Sequence, residues 1–464
     1  MSENSKPDVQ SNPLATEPIN KLILRFSVPS IISMLVGAIY NIVDQIYIGH
    51  GIGVLGIAAT NVAFPLTIIC TAIALLLGVG AAANFNLSLG AGKKERAGHF
   101  IGTAFGLIAF IGVAVGAASL MFIRPMLHLF GATPDIMPYA LPYTRIIALG
   151  VPFHIFSIAA SHLIRADGSP KFSMSIMLAG AIFNVVFDPI FLFVFDMGIE
   201  GIAWATTLGL ILSSAIGLYY LVKKFNTVRI RKRFLRPHLS YITGIFALGV
   251  APCFNQLAMT VVQVTLNNVL RHYGALSDYG SEIPLAAVGV ISKVNVLFMA
   301  VIIGIGQGCQ PINSFNYGAH NYARVKTTYR RAVAGATLVS AVAFITFQLF
   351  PEQVVAIFGS GSPEYVRFAV RYMRIYMFVT FANGVQPVTS NFFTSIGRAK
   401  LGVLMSLTRQ VIFLLPLIFT LPIFLGIDGV MYAGPLADTT TLILAIYLVR
   451  REFARMTELE SLQG

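Results

Sequence analysis

Five oxygen-bearing side chains occur at matching helical spacing in the apolar first half of this chain. Asp44 and Asp188 are two of the three acidic residues that lie in the interior of the predicted membrane spans. Tyr40 and Asn184 each precede one of these aspartates by four positions, which places each on the same helix face as its aspartate. Thr206 falls at a similar depth in the next span. Hard oxygen ligands suit Na⁺, and two close carboxylates equally suit a bound proton. These residues therefore predict a cation site, with H⁺ and Na⁺ both open.

The apolar setting makes these residues functional candidates. A charged group in a bilayer costs several kcal/mol unless it is paired or hydrated. The alternative interpretation is that Asp44 and Asp188 only hold helices together through hydrogen bonds. Aligning Pro29 with Pro252 sets Asp44 against Asn267, so only the first half has an acid at this position of the repeat. We therefore expect ion coupling to reside there.

The second half has its own intramembrane polar residues. Lys293 and Asp438 both lie about ten residues from the same side of the membrane, which fits either a static ion pair or a shared coupling cavity. Gln263 and Asn267 are further candidates for substrate binding or coupling. Arg409 is predicted to extend toward the nearer interface.

The sequence lacks the residue patterns that disulfides, metal sites or catalysis would need. The three cysteines (Cys70, Cys253 and Cys309) have no paired spacing, so we interpret them as packing residues. His154 and His162 are eight residues apart and lack a partner motif, so we expect neutral core histidines. No metal other than Na⁺ at Asp44, Asn184, Asp188 and Thr206 is expected, and no cofactor. An intramembrane enzyme is disfavoured because no nucleophile–base pair of suitable spacing occurs.

The elements that must position these residues are membrane helices. Hydrophobic residues make up 56% of the 464 residues and charged residues only 11%, which excludes an ordinary soluble protein. At about 20 residues per span the apolar stretches predict twelve helices, and the alternating strands of a barrel are missing. The predicted spans are 22–48, 54–85, 98–123, 137–165, 172–195, 199–222, 240–271, 284–312, 326–350, 366–395, 402–425 and 428–450.

Basic residues predict the topology. Most of the 32 Lys and Arg lie in the tails and in alternate loops, whereas the other loops, such as HGIGVLG and DMGIEG, contain none. This places both termini in the cytoplasm. The net charge of +13 therefore indicates membrane topology and anionic lipid headgroups rather than nucleic acid. The first residues lack the apolar stretch of a cleaved signal.

An internal repeat divides the chain into two lobes. GVG…LGAGKKER (78–96) recurs as GQG…YGAHNYAR (306–324), roughly 228 positions later, and the turn GIEG (198–201) recurs as GIDG (426–429). Tyr143 recurs as Tyr372. Since each copy holds six helices, the repeat is parallel, about a pseudo-two-fold axis along the membrane normal.

This organisation gives the domain boundaries. We predict a disordered cytoplasmic tail, an N-lobe of helices 1–6, a basic cytoplasmic linker, a C-lobe of helices 7–12 and a second tail. Their boundaries are 1–20, 21–222, 223–239, 240–452 and 453–464. The fold class is an all-α integral membrane protein, and we expect a monomer.

The chain resembles the bacterial multidrug and toxic compound extrusion transporters over about residues 20–455. The resemblance rests on FSVPSIISMLVGAIYNIVDQIYIG, GVGAAANFNLSLGAGKKERA, NVVFDPIFLF, GQGCQPINSFNYGAHNYARV and SLTRQVIFLLPL. It implies a twelve-helix inner-membrane antiporter that exports amphipathic, often cationic compounds in exchange for H⁺ or Na⁺ by alternating access. The family's cation site carries over onto Asp44, Asn184, Asp188 and Thr206, and a conformational bend onto Pro29. A flippase for a lipid-linked intermediate is the alternative, and it would favour a more cationic cavity.

Overall fold

The structure, a computed structural model, describes residues 12–225, 227–228, 232–235, 238–357 and 362–462. Within these ranges every regular element is a helix. Twelve long elements, labelled α1 to α12, traverse the fold. They are Ile19–Gly51, Val54–Gly90, Lys94–Met121, Met137–Ala166, Pro170–Val194, Gly198–Lys224, Leu239–Ala275, Glu282–Gly318, Tyr322–Leu349, the broken helix Pro363–Tyr376 with Val385–Ser395, Ala399–Leu425 and Ile427–Ser461. Shorter helical segments are Pro13–Thr16, Ile123–Leu129, Lys232–Leu235, Thr380–Ala382 and Pro351–Ala356.

The tenth element departs from its prediction as one continuous helix over 366–395. Its two α-helical segments are separated by a turn and the short 3₁₀ segment Thr380–Ala382. Pro387 has no N–H to donate to the carbonyl of Asn383, and its ring crowds that carbonyl, so a regular helix is disfavoured here. Gly384 fits this break because a Cβ there would lie only 2.8 Å from the Ala336 carbonyl oxygen of α9. The other eleven elements are long and apolar enough to cross a membrane.

The N-terminal segment is ordered from residue 12, where the described residues begin. The prediction of a disordered tail over residues 1–20 is therefore wrong for residues 12–20. Leu14 is buried, and its carbonyl accepts a hydrogen bond from Asn316 Nδ2 (2.9 Å). Arg324 donates to the Glu17 carbonyl (2.7 Å), which ties the segment to the start of α9. Residues 1–11 lie outside the described residues.

The last helix is also longer than predicted. α12 continues to Ser461, through most of the predicted tail 453–464, and residues 463–464 lie outside the described residues. The polar extension is held by an ion pair between Glu460 and Lys326 of α9 (2.7 Å). Interhelical pairing thus extends a helix that hydropathy alone ends at residue 450.

The described part of the predicted linker 223–239 packs on the N-lobe. α6 continues through Lys224, and Phe234 is buried against α3. A Cβ on Gly98 would lie 2.6 Å from the Phe234 ring, and Arg233 pairs with Glu95 at 2.8 Å. The linker prediction otherwise falls on residues 226, 229–231 and 236–237, which lie outside the described residues.

The two lobes meet through close helix contacts that follow the repeat. A Cβ on Gly90 would overlap the Phe315 carbonyl, and a Cβ on Gly318 would overlap the Leu87 carbonyl. Leu87 and Phe315 are themselves repeat-equivalent, so the contact is reciprocal across a pseudo-two-fold axis. This reciprocity and the two six-helix groups confirm the predicted architecture.

Two further crossings close the fold on one side, here called the basic face. This is the face where α1 begins and α12 ends, and Lys93, Lys171 and Lys400 lie in or next to its loops. A Cβ on Gly249 of α7 would overlap the backbone of α2. Gly304 and Gly308 of α8 form a small-xxx-small pair that packs on α1. The lobes are therefore in contact at the basic face.

Candidate cation site and adjoining cavity

The centre of the candidate site is the pairing of α5 with α6. Asn184 lies one turn before Asp188 in α5, as its spacing predicts. Its Nδ2 donates to Asp188 Oδ1 (3.1 Å) and to Thr206 Oγ1 of α6 (3.0 Å). Asp188 is fully buried and Asn184 nearly so. The amide donor is thereby fixed, and the Asn184 carbonyl oxygen is left free to accept.

α1 brings a second carboxyl group to this pair. Asp44 lies close enough to Asp188 for the two carboxyl groups to interact. Buried oxygens on both aspartates and on Asn184 have no hydrogen-bond partner among the residues that the structure describes. They are Asp44 Oδ1, Asn184 Oδ1 and Asp188 Oδ2. Buried acceptors are normally satisfied, so this donor set fits a bound proton or hard cation.

Two tyrosines border the acidic pair. Tyr40 lies one turn before Asp44 in α1, as predicted, and interacts electrostatically with both carboxylates. Tyr143 of α4 does the same and was missed by the sequence analysis as a site residue. Its recurrence as Tyr372 in the repeat was the available signal. Both tyrosines line the cavity that adjoins the site.

The adjoining cavity has a volume of about 900 Å³, enough for a drug-sized compound. Asp44 forms part of its wall, so the candidate cation site and the cavity share a residue. The cavity runs from the ends of α1 and α2 opposite the basic face to Thr71 and His154 near the middle of their helices. Most of its wall is apolar. The other polar or charged residues lining it include Asn41, Gln45, Thr60, Asn61, Thr67, Thr206 and Lys293.

The two histidines of α4 differ in setting. His154, expected in the core, lines the cavity and has its Nε2 3.0 Å from Thr71 Oγ1. His162 is buried, with 4% of its surface exposed. The cavity position of His154 depends on the rotation of α4 against α2, which the spacing of the two histidines does not determine.

The C-lobe charges are arranged differently from the prediction. Lys293 of α8 is exposed, lines the same cavity as Asp44, and has no ion-pair partner among the described residues. Asp438 pairs with Arg409 of α11 instead (2.5 Å). For Lys293 and Asp438 the sequence left open a static ion pair or a shared coupling cavity, and the described residues form neither. The prediction that Arg409 extends to the interface is wrong. Asp438 is directed at the neighbouring helix α11, which lies nearer than α8.

The remaining candidates in the C-lobe and α1 do not join the cavity. Gln263 Nε2 donates to Asn267 Oδ1 (3.0 Å) on an exposed part of α7, and neither side chain is in the cavity wall. Pro29 is buried inside α1, which continues through it, and its carbonyl accepts from Ser33 Oγ (2.9 Å). The role of Pro29 in bending stays a prediction.

The fold and the site together define a class. Two pseudo-symmetric groups of six membrane helices, in contact at one face and enclosing a cavity beside buried acids, are the architecture of a secondary transporter. The MatE family model matches residues 29–190 and 252–420. The chain belongs to this family, the multidrug and toxic compound extrusion (MATE) transporters. It is a multi-pass membrane transporter and not an enzyme.

Relatives and solved structures agree with this assignment. The chain is 24% identical to the multidrug export protein MepA of Staphylococcus aureus strain MSSA476 over 436 residues, 93% of this chain and 94% of the relative. MepA of Staphylococcus haemolyticus strain JCSC1435 is also 24% identical, over 95% of each chain. These relatives support multidrug efflux as the general activity.

The solved structures establish the fold. A transporter of the MOP superfamily from Pyrococcus furiosus Vc1, described as having a binding pocket of reverse polarity, superposes with a TM-score of 0.88 at 24% identity, covering 98% of this chain and all of the other. An outward-facing multidrug resistance MATE transporter superposes with a TM-score of 0.88 at 23% identity, covering 99% of this chain and all of the other.

Proposed function

We propose that this transporter exports amphipathic, cationic organic compounds in exchange for H⁺ or Na⁺ bound between Asp44 and Asp188. The observation that carries the proposal is the set of three buried acceptor oxygens without partners, on Asp44, Asn184 and Asp188, beside a wall of the cavity. A proton or Na⁺ satisfies these oxygens. Because Asp44 also faces the cavity, the ion and a cationic compound compete for its charge.

This competition supplies the coupling. An ion gradient drives export when ion and substrate favour different conformations or exclude one another. Asp188 binds the ion in the buried part of the site, whereas Asp44 links the site to the cavity. Asn184 and Thr206 orient the oxygens. We assign them no role beyond this positioning, and we assign no cofactor besides the ion.

The orientation in the membrane follows from charge. By the positive-inside rule the basic face lies on the cytoplasmic side of the bacterial inner membrane, and both termini lie in the cytoplasm. In that orientation the contacts at the basic face close the cytoplasmic side, and the cavity belongs to an outward conformation. The basic loops also favour anionic headgroups nearby. We propose that a monomer is sufficient, since one chain supplies both lobes and the cavity.

The lipid-flippase alternative is less favoured by the cavity. Lys293 is the lysine in the cavity wall, and no arginine of the described residues lines it. A lipid-linked phosphate would be better matched by several cationic side chains. The mostly apolar wall with one carboxyl group instead fits an amphipathic organic cation.

The direct test is transport in vesicles. The full chain is reconstituted, a Na⁺ gradient or a pH gradient is imposed separately, and ethidium fluorescence is followed. We expect one of the two imposed gradients to drive ethidium against its own concentration gradient. Protein-free vesicles should show no such movement. Accumulation under neither gradient contradicts the proposal.

Replacing Lys293 should change which charges the cavity prefers. In Lys293→Met the cavity loses a positive charge that repels a cationic compound. Unit charges about 10 Å apart interact by roughly 0.4–1.7 kcal/mol between effective dielectric constants of 80 and 20. We therefore expect the apparent KM for ethidium to fall by about 2- to 17-fold, measured as initial rates in the same vesicles. Lys293→Arg, which keeps the charge, should match the parent. A higher KM in Lys293→Met would show that Lys293 aids cation binding.

A further inference from the structure

The C-lobe contains a largely buried ion pair that the coupling scheme does not use. Arg409 Nε donates to Asp438 Oδ1 (2.5 Å), and the two side chains are 19% and 2% exposed. Arg409 also lies close to Tyr376 of α10 and interacts with it electrostatically. It lies in a π-helical stretch of α11, Thr408–Leu414. Such wide turns are rare and are frequent at functional sites.

The repeat relates this region to the N-lobe cation site. Gly168 matches Gly397 before α11, and Gly198 matches Gly426 before α12. In that register the position of Asn184 is taken by Phe413, and that of Thr206 by Gly434. A Cβ on Gly434 would lie 2.7 Å from the Tyr376 ring. The C-lobe position equivalent to the cation ligands is thus occupied by an aromatic ring.

The polar groups reappear one turn away. Tyr376 lies four residues after Tyr372, the counterpart of Tyr143, Arg409 lies four before Phe413, and Asp438 lies four after Gly434. α10 and α12 run toward the basic face and α11 runs away from it, so all three shifts point toward the basic face. In the C-lobe a tyrosine again lies beside polar side chains of the next two helices, α11 and α12. These side chains carry a guanidinium and a carboxylate, where the N-lobe has an amide and a hydroxyl.

We propose that Arg409 is a built-in cation that occupies a latent second ion site at Asp438. Given the proposed function, the occupation of this site by Arg409 explains how a fold with two similar lobes binds a single exchangeable ion. The guanidinium neutralises Asp438 and cannot leave. Proton or Na⁺ exchange is thereby confined to Asp44 and Asp188, and Arg409 determines the ion stoichiometry.

Removing the tethered charge should unmask the second site. In Arg409→Gln the Asp438 carboxylate remains buried beside an amide and the Tyr376 hydroxyl, a donor set of the same kind as the N-lobe site. Because a buried carboxylate without a partner is unstable, it should bind H⁺ or Na⁺ from solution. The double variant Arg409→Gln with Asp438→Asn has no such charge and should bind none there.

The test counts cations on the purified full chain. Equilibrium binding of radioactive Na⁺ and proton release against a pH-indicator dye, in weak buffer, give the number bound per chain. We expect one in the parent, two in Arg409→Gln and one in the double variant. Arg371→Gln is the matched control: it breaks an exposed Arg–Asp pair with Asp428 (2.7 Å) and should leave the number at one.

The outcomes separate the two proposals. A parent that binds no cation, or binding that persists in Asp188→Asn, overturns the proposed function. One site in a folded Arg409→Gln, while Asp188→Asn still removes that site, overturns the role of Arg409 alone. If Arg409→Gln is poorly folded at neutral pH, acid pH or high Na⁺ should restore it by binding Asp438. Failure of both to restore it also overturns the inference, provided that the double variant folds.

Discussion

Asp188→Asn is expected to abolish gradient-driven export and to leave the protein folded in the membrane. The amide has almost the shape of the carboxyl group, and its oxygen can still accept from Asn184 Nδ2, the bond that measures 3.1 Å in the parent. It has no exchangeable charge, so it gives neither H⁺ nor Na⁺ a differential affinity for the two conformations, and a gradient has nothing to act on. Ethidium accumulation in vesicles should fall to the level of protein-free vesicles.

The control for this variant is an acid outside the site. Asp135 is exposed in the described residues between α3 and α4, and Asp135→Asn should transport like the parent. Membrane levels of the two variants, compared by quantitative blotting, should agree. Undiminished accumulation in Asp188→Asn would remove this residue from the coupling mechanism.

Gly308→Val is expected to force open the basic face and to stop transport. A Cβ at Gly308 would lie 2.5 Å from both Cα and Oγ of Ser27 in α1, where neither helix backbone can give way. Overpacking of this kind costs about 1–3 kcal/mol, which shifts the ratio of two conformations by about 5- to 150-fold. The closed basic face should therefore lose population, and alternating access should stall.

Cys309 reports this opening. It is 2% exposed at the contact between α8 and Ser27, so maleimide should label it slowly in the parent. With Cys70 and Cys253 replaced by serine, Gly308→Val should accelerate labelling roughly in proportion to the population shift. Gly289→Val in the same helix is the control, because a Cβ there meets nothing within 4 Å. Slow labelling and normal transport in Gly308→Val would show that this crossing does not have to remain tight.

The sequence predicted the spans and the repeat because a bilayer leaves few solutions. Every span needs about 20 apolar residues, and its backbone must be satisfied within the helix. It also predicted that Asp44, Asn184, Asp188 and Thr206 would approach one another, and the structure brings the four together. Spacing of four residues fixes a helix face, and depth from the loops fixes a level, so both coordinates were readable from the chain.

Other features depended on how helices rotate and tilt against one another. Hydropathy did not reveal the break in α10, because packing of Gly384 on α9 stabilises it. Equal depth suggested Lys293 as the partner of Asp438, yet the rotation of α8 turns Lys293 into the N-lobe cavity, and Asp438 meets Arg409. Depth is a property of one helix and is encoded locally, whereas the partner of a buried charge depends on which faces of separate helices meet, and packing of the whole fold decides that.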